Sequence, residues 1–280
     1  MKELVLISAG GAPISVKIFE PEKSHGKLLL INSATGVKQQ LYFGFAKYLT
    51  ENGFTVITYD YRGISESKPA NIKNFEASMR IWGAQDFRTM TEYVAVHYKN
   101  HQKYLLGHSV GALILGMNPD ATMFDKFVFV ATQDAYFRNL NFRIAMLGLF
   151  GFGLLLPVLT AILGYFPAQW FGLGESLPKG VALDWRTLVI HRKSTGRLFA
   201  KSAGDYSDDL HQKTLVVYAE DDTWVTMKGM ESLMNKGYPN LKKQYRKIRV
   251  SESPEKEIGH VNFFRSYNRD LWTIVLEAFS

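Results

Sequence analysis

The sequence predicts an α/β protein with a mostly parallel central sheet flanked by helices and a helical segment inserted between two strands. Three observations lead there. Strand-like and helix-like segments alternate through most of the 280 residues, the order that buries a parallel sheet between helices. The alternation stops at about Gln133 and resumes at Thr214, leaving roughly eighty residues, too many for a structureless loop in a compact domain. Finally, Gly107-His108-Ser109-Val110-Gly111 joins a short apolar run to an apolar helix, and the flanking glycines let strand and helix pass without a Cβ clash. The expected organisation is a core of residues 1–132 and 213–280 with a helical cap over 133–212.

Each element has a local reason. Leu4 to Ser8 and Ile14 to Phe19, separated by Gly10-Gly11-Ala12-Pro13, read as an opening hairpin. Lys27 to Ile31 and Thr55 to Tyr59 read as buried strands. The helix between them, Gln39 to Thr50, ends at Asn52-Gly53, a C-cap signal. Asp60-Tyr61-Arg62-Gly63 turns the chain, and Met79 to Tyr98 is an amphipathic helix. The apolar run Tyr104 to Leu106 precedes the serine, Val110 to Met117 reads as a helix stopping before Pro119, and Phe127 to Ala131 is a strand. After the insertion come a strand (Thr214 to Tyr218), a helix (Met227 to Lys236), a strand (Gln244 to Val250), a loop holding Gly259-His260, and a last helix (Asn268 to Phe279).

Composition removes several classes of function. The chain has no cysteine, which excludes disulfides, thiolate metal sites and a cysteine nucleophile, and fits a cytoplasmic location. The apolar run Leu4 to Ile7 is too short for a signal peptide. The net charge of +7 is compatible with anionic surfaces or substrates, but a soluble protein with scattered lysines is the preferred reading. Its densest basic run, Lys242 to Arg249, alternates like the solvated side of an edge strand, so no nucleic-acid partner is expected. H-E-x-x-H is absent, and Gly10-Gly11 is too little for a phosphate or dinucleotide loop, so neither a metal nor a cofactor is expected. The oligomeric state is not legible.

No charged residue occurs from Ile144 to Gly174. A window of about twenty apolar residues suggests a membrane span. Gly148, Gly151, Gly153 and Pro157 interrupt it, and a crossing would put the strands at Phe127 and Leu215 on opposite sides of a bilayer. Two or more short helices lying over Ser109 and making an apolar pocket are expected instead, with weak membrane-surface contact through this cap as a secondary reading.

A serine hydroxyl needs a base, and the base an orienting carboxylate. In sheets that carry G-x-S-x-G at a strand-to-helix turn the order is serine, acid, histidine. Ser109 is the expected nucleophile. The acid lies past the strand Thr214 to Tyr218. Asp222, two residues before Trp224-Val225, is the choice there; Asp221 is the competitor, and Glu220 and Asp134 are further alternatives. His260 is the expected base, because His25, His97, His101, His191 and His211 precede the acid and His108 lies inside the turn. The backbone N–H of Val110 is expected to bind an oxyanion, with a second donor from Asn32-Ser33-Ala34-Thr35-Gly36, taken as Ala34 to within one position.

These residues carry a resemblance. The chain is similar to α/β-hydrolases of the serine-aminopeptidase-like branch, which includes monoacylglycerol lipases and a group of predicted bacterial hydrolases without an assigned substrate. The likeness rests on Ile31 to Gly36, Tyr59-Asp60-Tyr61-Arg62-Gly63, Gly107 to Gly111, Asp222 and Gly259-His260-Val261-Asn262-Phe263-Phe264, and in the cap on Leu163 to Pro167 and Leu173 to Trp185. Asn32-Ser33 stands where many relatives have His-Gly, a departure at the second oxyanion donor, and Ser65 replaces a glycine in the turn after Arg62. The resemblance implies the α/β-hydrolase fold and a serine hydrolase. A carboxylic ester with a small or medium apolar acyl group is the expected substrate. A peptidase releasing an N-terminal residue, with Glu175 or Asp184 holding the ammonium, and a non-catalytic binding protein are the alternatives.

Overall fold

The computed structural model describes residues 1–279. Ten strands occur in chain order: β1 (Lys2–Ser8), β2 (Ala12–Phe19), β3 (Lys27–Asn32), β4 (Phe54–Tyr59), β5 (Gln102–His108), β6 (Lys126–Val130), β7 (Tyr165–Phe166), β8 (Leu177–Pro178), β9 (Lys213–Ala219) and β10 (Lys242–Ile248). Eight form one sheet in the order β1-β2-β4-β3-β5-β6-β9-β10, and β7 with β8 makes a small separate ladder. The β1–β2 and β2–β4 pairs are antiparallel, and every pair from β4 to β10 is parallel. Strands β3 to β6 are almost wholly buried, as expected where helices cover both faces of a parallel sheet. The sheet is the predicted one, with the hairpin at one edge and the basic β10 at the other.

Among the helices, α1 (Phe43–Glu51) is stopped by Gly53 at φ +83°. The predicted amphipathic helix is α2 (Met79–Ile81), a π turn (Trp82–Phe87) and α3 (Arg88–His97) in one run. The helix after the serine is short, α4 (Val110–Leu113) with a 3₁₀ turn behind it.

The stretch between β6 and β9 departs most from expectation. α5 (Phe142–Phe150), a π turn (Gly151–Leu155) and α6 (Leu156–Leu163) form one continuous helix of 22 residues, long and apolar enough to cross a bilayer. The glycines and Pro157 do not break it. A Cβ on Gly148 would lie 3.4 Å from Val189, and one on Gly153 3.8 Å from Ile190. Both partners belong to α7 (Lys179–Ile190), at ordinary van der Waals distance, so this side of the helix packs on α7. Pro157 lies inside this helix, two residues after the π turn. Phe152 stacks on Trp185 of α7 with ring centres 5.7 Å apart. Beyond α7 lies α8 (Ser194–Phe199).

Three buried or half-buried carboxylates fasten this stretch within itself and to helices and a loop of the core. Asp134 accepts from the Thr195 N–H and the Ser232 hydroxyl. Asp184 binds the Arg80 guanidinium, and Glu175 accepts from the Ser65 N–H. The chain then closes with α9 (Met227–Ser232) and α10 (Thr273–Ala278).

Candidate active site

Ser109 stands between β5 and α4 with φ +53° and ψ −117°, a conformation that side-chain-bearing residues seldom adopt. Its neighbours enforce it. The Ser109 N–H donates to Val130 and its carbonyl accepts from the Thr132 hydroxyl. A Cβ on Gly107 would fall 2.7 Å from the Ala112 backbone, and one on Gly111 2.1 Å from the Asn32 carbonyl. Asn32 is itself held, donating its side-chain amide to the Gly111 carbonyl and accepting from the Tyr59 hydroxyl.

Three side chains remote in sequence meet at the C-terminal rim of the sheet. His260 Nε2 lies 3.0 Å from Ser109 Oγ, and His260 Nδ1 lies 2.8 Å from Asp222 Oδ2. The other Asp222 oxygen accepts from the N–H groups of Trp224 and Val225 at 2.9 and 3.2 Å. Burial alone would raise this carboxyl. The hydrogen bond and charge of His260, with the two N–H groups, outweigh burial and hold it below the usual carboxylate range.

The competing acids fall elsewhere. Asp221 accepts from the N–H groups of Ile258 and Gly259, both at 2.9 Å, and so clamps the loop that carries His260. Glu220 pairs with Lys247 at the exposed edge. Asp134 fastens the inserted segment, as described above.

Val110 opens α4, where the first N–H groups of a helix have no acceptor within it. Ala34 requires a correction. Its N–H donates to the Tyr42 hydroxyl at 3.0 Å, so it is engaged within the chain instead of facing outward as an oxyanion donor. Thr35, the next residue, carries a buried hydroxyl with no partner among the described residues.

Sequence reasoning missed Tyr42 and the task of His108. His108 Nε2 lies 2.8 Å from the His260 carbonyl, which can only accept, so that nitrogen carries the proton. Its Nδ1 then accepts from the Tyr42 hydroxyl at 2.8 Å. Burial lowers the His108 imidazole to about 3, with the nearby His260 adding to the effect. A neutral bridge therefore runs from the Ala34 N–H through Tyr42 and His108 to the backbone of His260. The available signal was the position of His108, one residue before the serine.

A parallel sheet of this order, with a serine at a strained turn after β5 and a histidine in the loop before the last helices, is the α/β-hydrolase fold. Within that class, the serine aminopeptidase (S33) family matches residues 24–132, and the chain resembles that branch. No protein of curated function matches the sequence. Solved structures match along the whole length. An esterase from Exiguobacterium antarcticum is 16% identical with a TM-score of 0.61, covering 99% of each chain. A bromoperoxidase from Bacillus anthracis is also 16% identical, with a TM-score of 0.60 over 99% of each chain. An esterase from Pyrococcus furiosus is 12% identical with a TM-score of 0.61, covering 99% of this chain and 89% of its own. At such identities the likeness is one of fold.

Proposed function

We propose that the protein is a serine hydrolase that cleaves carboxylic esters with a small or medium apolar acyl group. The observation that carries this reading is the unbroken relay from Ser109 Oγ through the His260 ring to Asp222. In the proposed cycle His260 takes the serine proton as Ser109 attacks the ester carbonyl. Asp222 keeps the ring in the required tautomer and offsets its positive charge. His260 then gives the proton to the leaving alcohol, and water discharges the acyl-enzyme by the same steps in reverse roles. The Val110 N–H serves as one oxyanion donor. With the Ala34 N–H engaged by Tyr42, the Thr35 hydroxyl is the proposed second donor.

The inserted segment, residues 133–212, is proposed as the cap, and its uncharged surface from Ile144 to Gly174 motivates the apolar acyl preference. A peptidase acting on a free N-terminus is less well supported. The acids expected to hold a substrate ammonium are already committed, Glu175 to Lys38 and the Ser65 N–H, and Asp184 to Arg80.

The test is hydrolysis of a chain-length series of aryl esters, with fluorophosphonate labelling of the same samples. Ser109→Ala is expected to abolish labelling and reduce turnover by at least about a thousandfold. Equal rates for the two proteins would reject the reading. Thr35→Val is expected to lower kcat by roughly a hundredfold while labelling persists slowly. An unchanged kcat removes Thr35 from the assignment and leaves Ser109 in it.

A further inference from the structure

One side of the Phe142–Leu163 helix is exposed, with no covering partner among the described residues. Phe142, Met146, Phe150, Leu154, Val158 and Ile162 recur every four residues, and all are exposed, Phe142 to 79% and Ile162 to 70%. On a regular α-helix that spacing drifts by about 40° per step. The π turn Gly151–Leu155 holds more residues per turn and takes back part of that drift. The loop that follows adds Trp170, 63% exposed, with Phe171 and Leu173. Isolated apolar side chains at a surface are ordinary, whereas a contiguous face of this length marks an interaction.

The segment that carries the face is cationic. Residues 135–204 hold eight lysines and arginines against two acids, Glu175 and Asp184. Both acids are occupied inside the protein, and none of the eight cations is ion-paired among the described residues. Arg143 lies on the helix itself. Arg192 and Lys193 follow Ile190, which faces Gly153 at the middle of the helix. The exposed His191 imidazole is held below its usual value by local desolvation and then by Arg197, Lys201, Lys193 and Arg192, which places four of these charges in one cluster.

The helix cannot cross a bilayer in this fold. β6 and β9, on either side of the insertion, are paired neighbours in the sheet. The residue after the helix, Gly164, accepts from the Asn74 N–H at 2.9 Å, and the opposite side of the helix packs on α7.

We propose that this face docks the protein on an anionic lipid surface. The helix lies in the plane of the interface, with its apolar stripe and the Trp170 loop in the acyl boundary and its cations among the headgroups. A second copy of the chain is disfavoured as the occupant, because a symmetric contact here would bring two unneutralised cationic rims together. Anionic lipid neutralises them. The proposal is independent of the hydrolytic reading, since binding is measured without turnover.

The test is flotation of the full chain with vesicles of phosphatidylcholine alone or with roughly a third phosphatidylglycerol. The expected result is binding to the anionic vesicles that weakens as salt rises. The triple variant Phe150→Ser, Leu154→Ser, Ile162→Ser is expected to lower it by at least about tenfold. Arg143→Ala with Arg192→Ala and Lys193→Ala is expected to lower binding to anionic vesicles while leaving hydrolysis of a short soluble ester unchanged. Arg143, Arg192 and Lys193 have no assigned part in catalysis or acyl binding, and unchanged melting temperatures establish that the variants fold. Absence of flotation with either vesicle overturns the proposal, as does full binding by the triple variant. A wild-type dimer in sedimentation that the triple variant dissolves, with vesicles left unbound, assigns the face to a second copy instead.

Discussion

Asp221 and Asp222 are adjacent and chemically identical, yet their surroundings give them different tasks. Asp222 faces the His260 ring and two backbone N–H groups, while Asp221 holds the backbone of Ile258 and Gly259 beneath that histidine. Asp222→Asn is expected to lower kcat by about ten-thousandfold with little loss of thermal stability, because the wrong tautomer is then favoured. Asp221→Ala is expected to lower kcat by roughly tenfold and stability by about 1 kcal/mol, through a loosened loop. Measuring kcat and Tm for both variants separates the roles, and a larger rate loss in Asp221→Ala would reverse them. The choice between the two was readable from the chain only as a preference. It rests on which way a loop turns after β9, and hydrogen bonds to residues nearly forty positions away decide that. Ala34 was misread for a related reason. The hydroxyl that engages its N–H comes from Tyr42, and nothing in the intervening residues announces that approach.

The strands and the turn at Ser109 were legible because short apolar runs bounded by glycine have few alternative uses. The same reasoning applied to the inserted helix overestimated glycine as a breaker. Intrinsic propensity costs about 1 kcal/mol per glycine, and packing of the helix on α7, with Phe152 stacked on Trp185, offsets it. Two substitutions separate packing from propensity. Gly111→Ala places a Cβ against the Asn32 carbonyl where β3 and α4 touch, and is expected to cost about 3 kcal/mol or prevent folding. Gly151→Ala meets nothing within 4 Å and is expected to leave stability unchanged or raise it by up to about 1 kcal/mol. Urea denaturation of both variants checks the contrast, and similar midpoints would contradict it.

The stability of the molecule as a whole carries a mark of Asp60, which is 1% exposed at the end of β4. Burial raises its carboxyl to about 6, although N–H donors from Gln39 and Glu66 pull the other way. A carboxyl that binds its proton more tightly when folded favours the native state at low pH. That contribution falls as pH rises from about 4 to 6, by up to roughly 3 kcal/mol, and is constant above about pH 7. The expected measurement is the Tm of wild type minus that of Asp60→Asn, which has no such titration. The difference should decline across that window, and a difference independent of pH would show that the group keeps its ordinary affinity when folded.

The left-handed backbone at Ser109 bears on how this chain balances durability against reactivity. Glycine adopts that conformation with no steric penalty, and serine does not, so every folded copy retains a small conformational tension at one position. Selection for robustness alone would remove it. Under the proposed function the identity of residue 109 is set by what its side chain does, while the bond it donates to the Val130 carbonyl and the one it accepts from the Thr132 hydroxyl hold the turn in place. On the same proposal, variants recovered purely for heat resistance would be drawn toward losing the serine that attacks the ester, and screens of this scaffold have to weigh turnover alongside endurance.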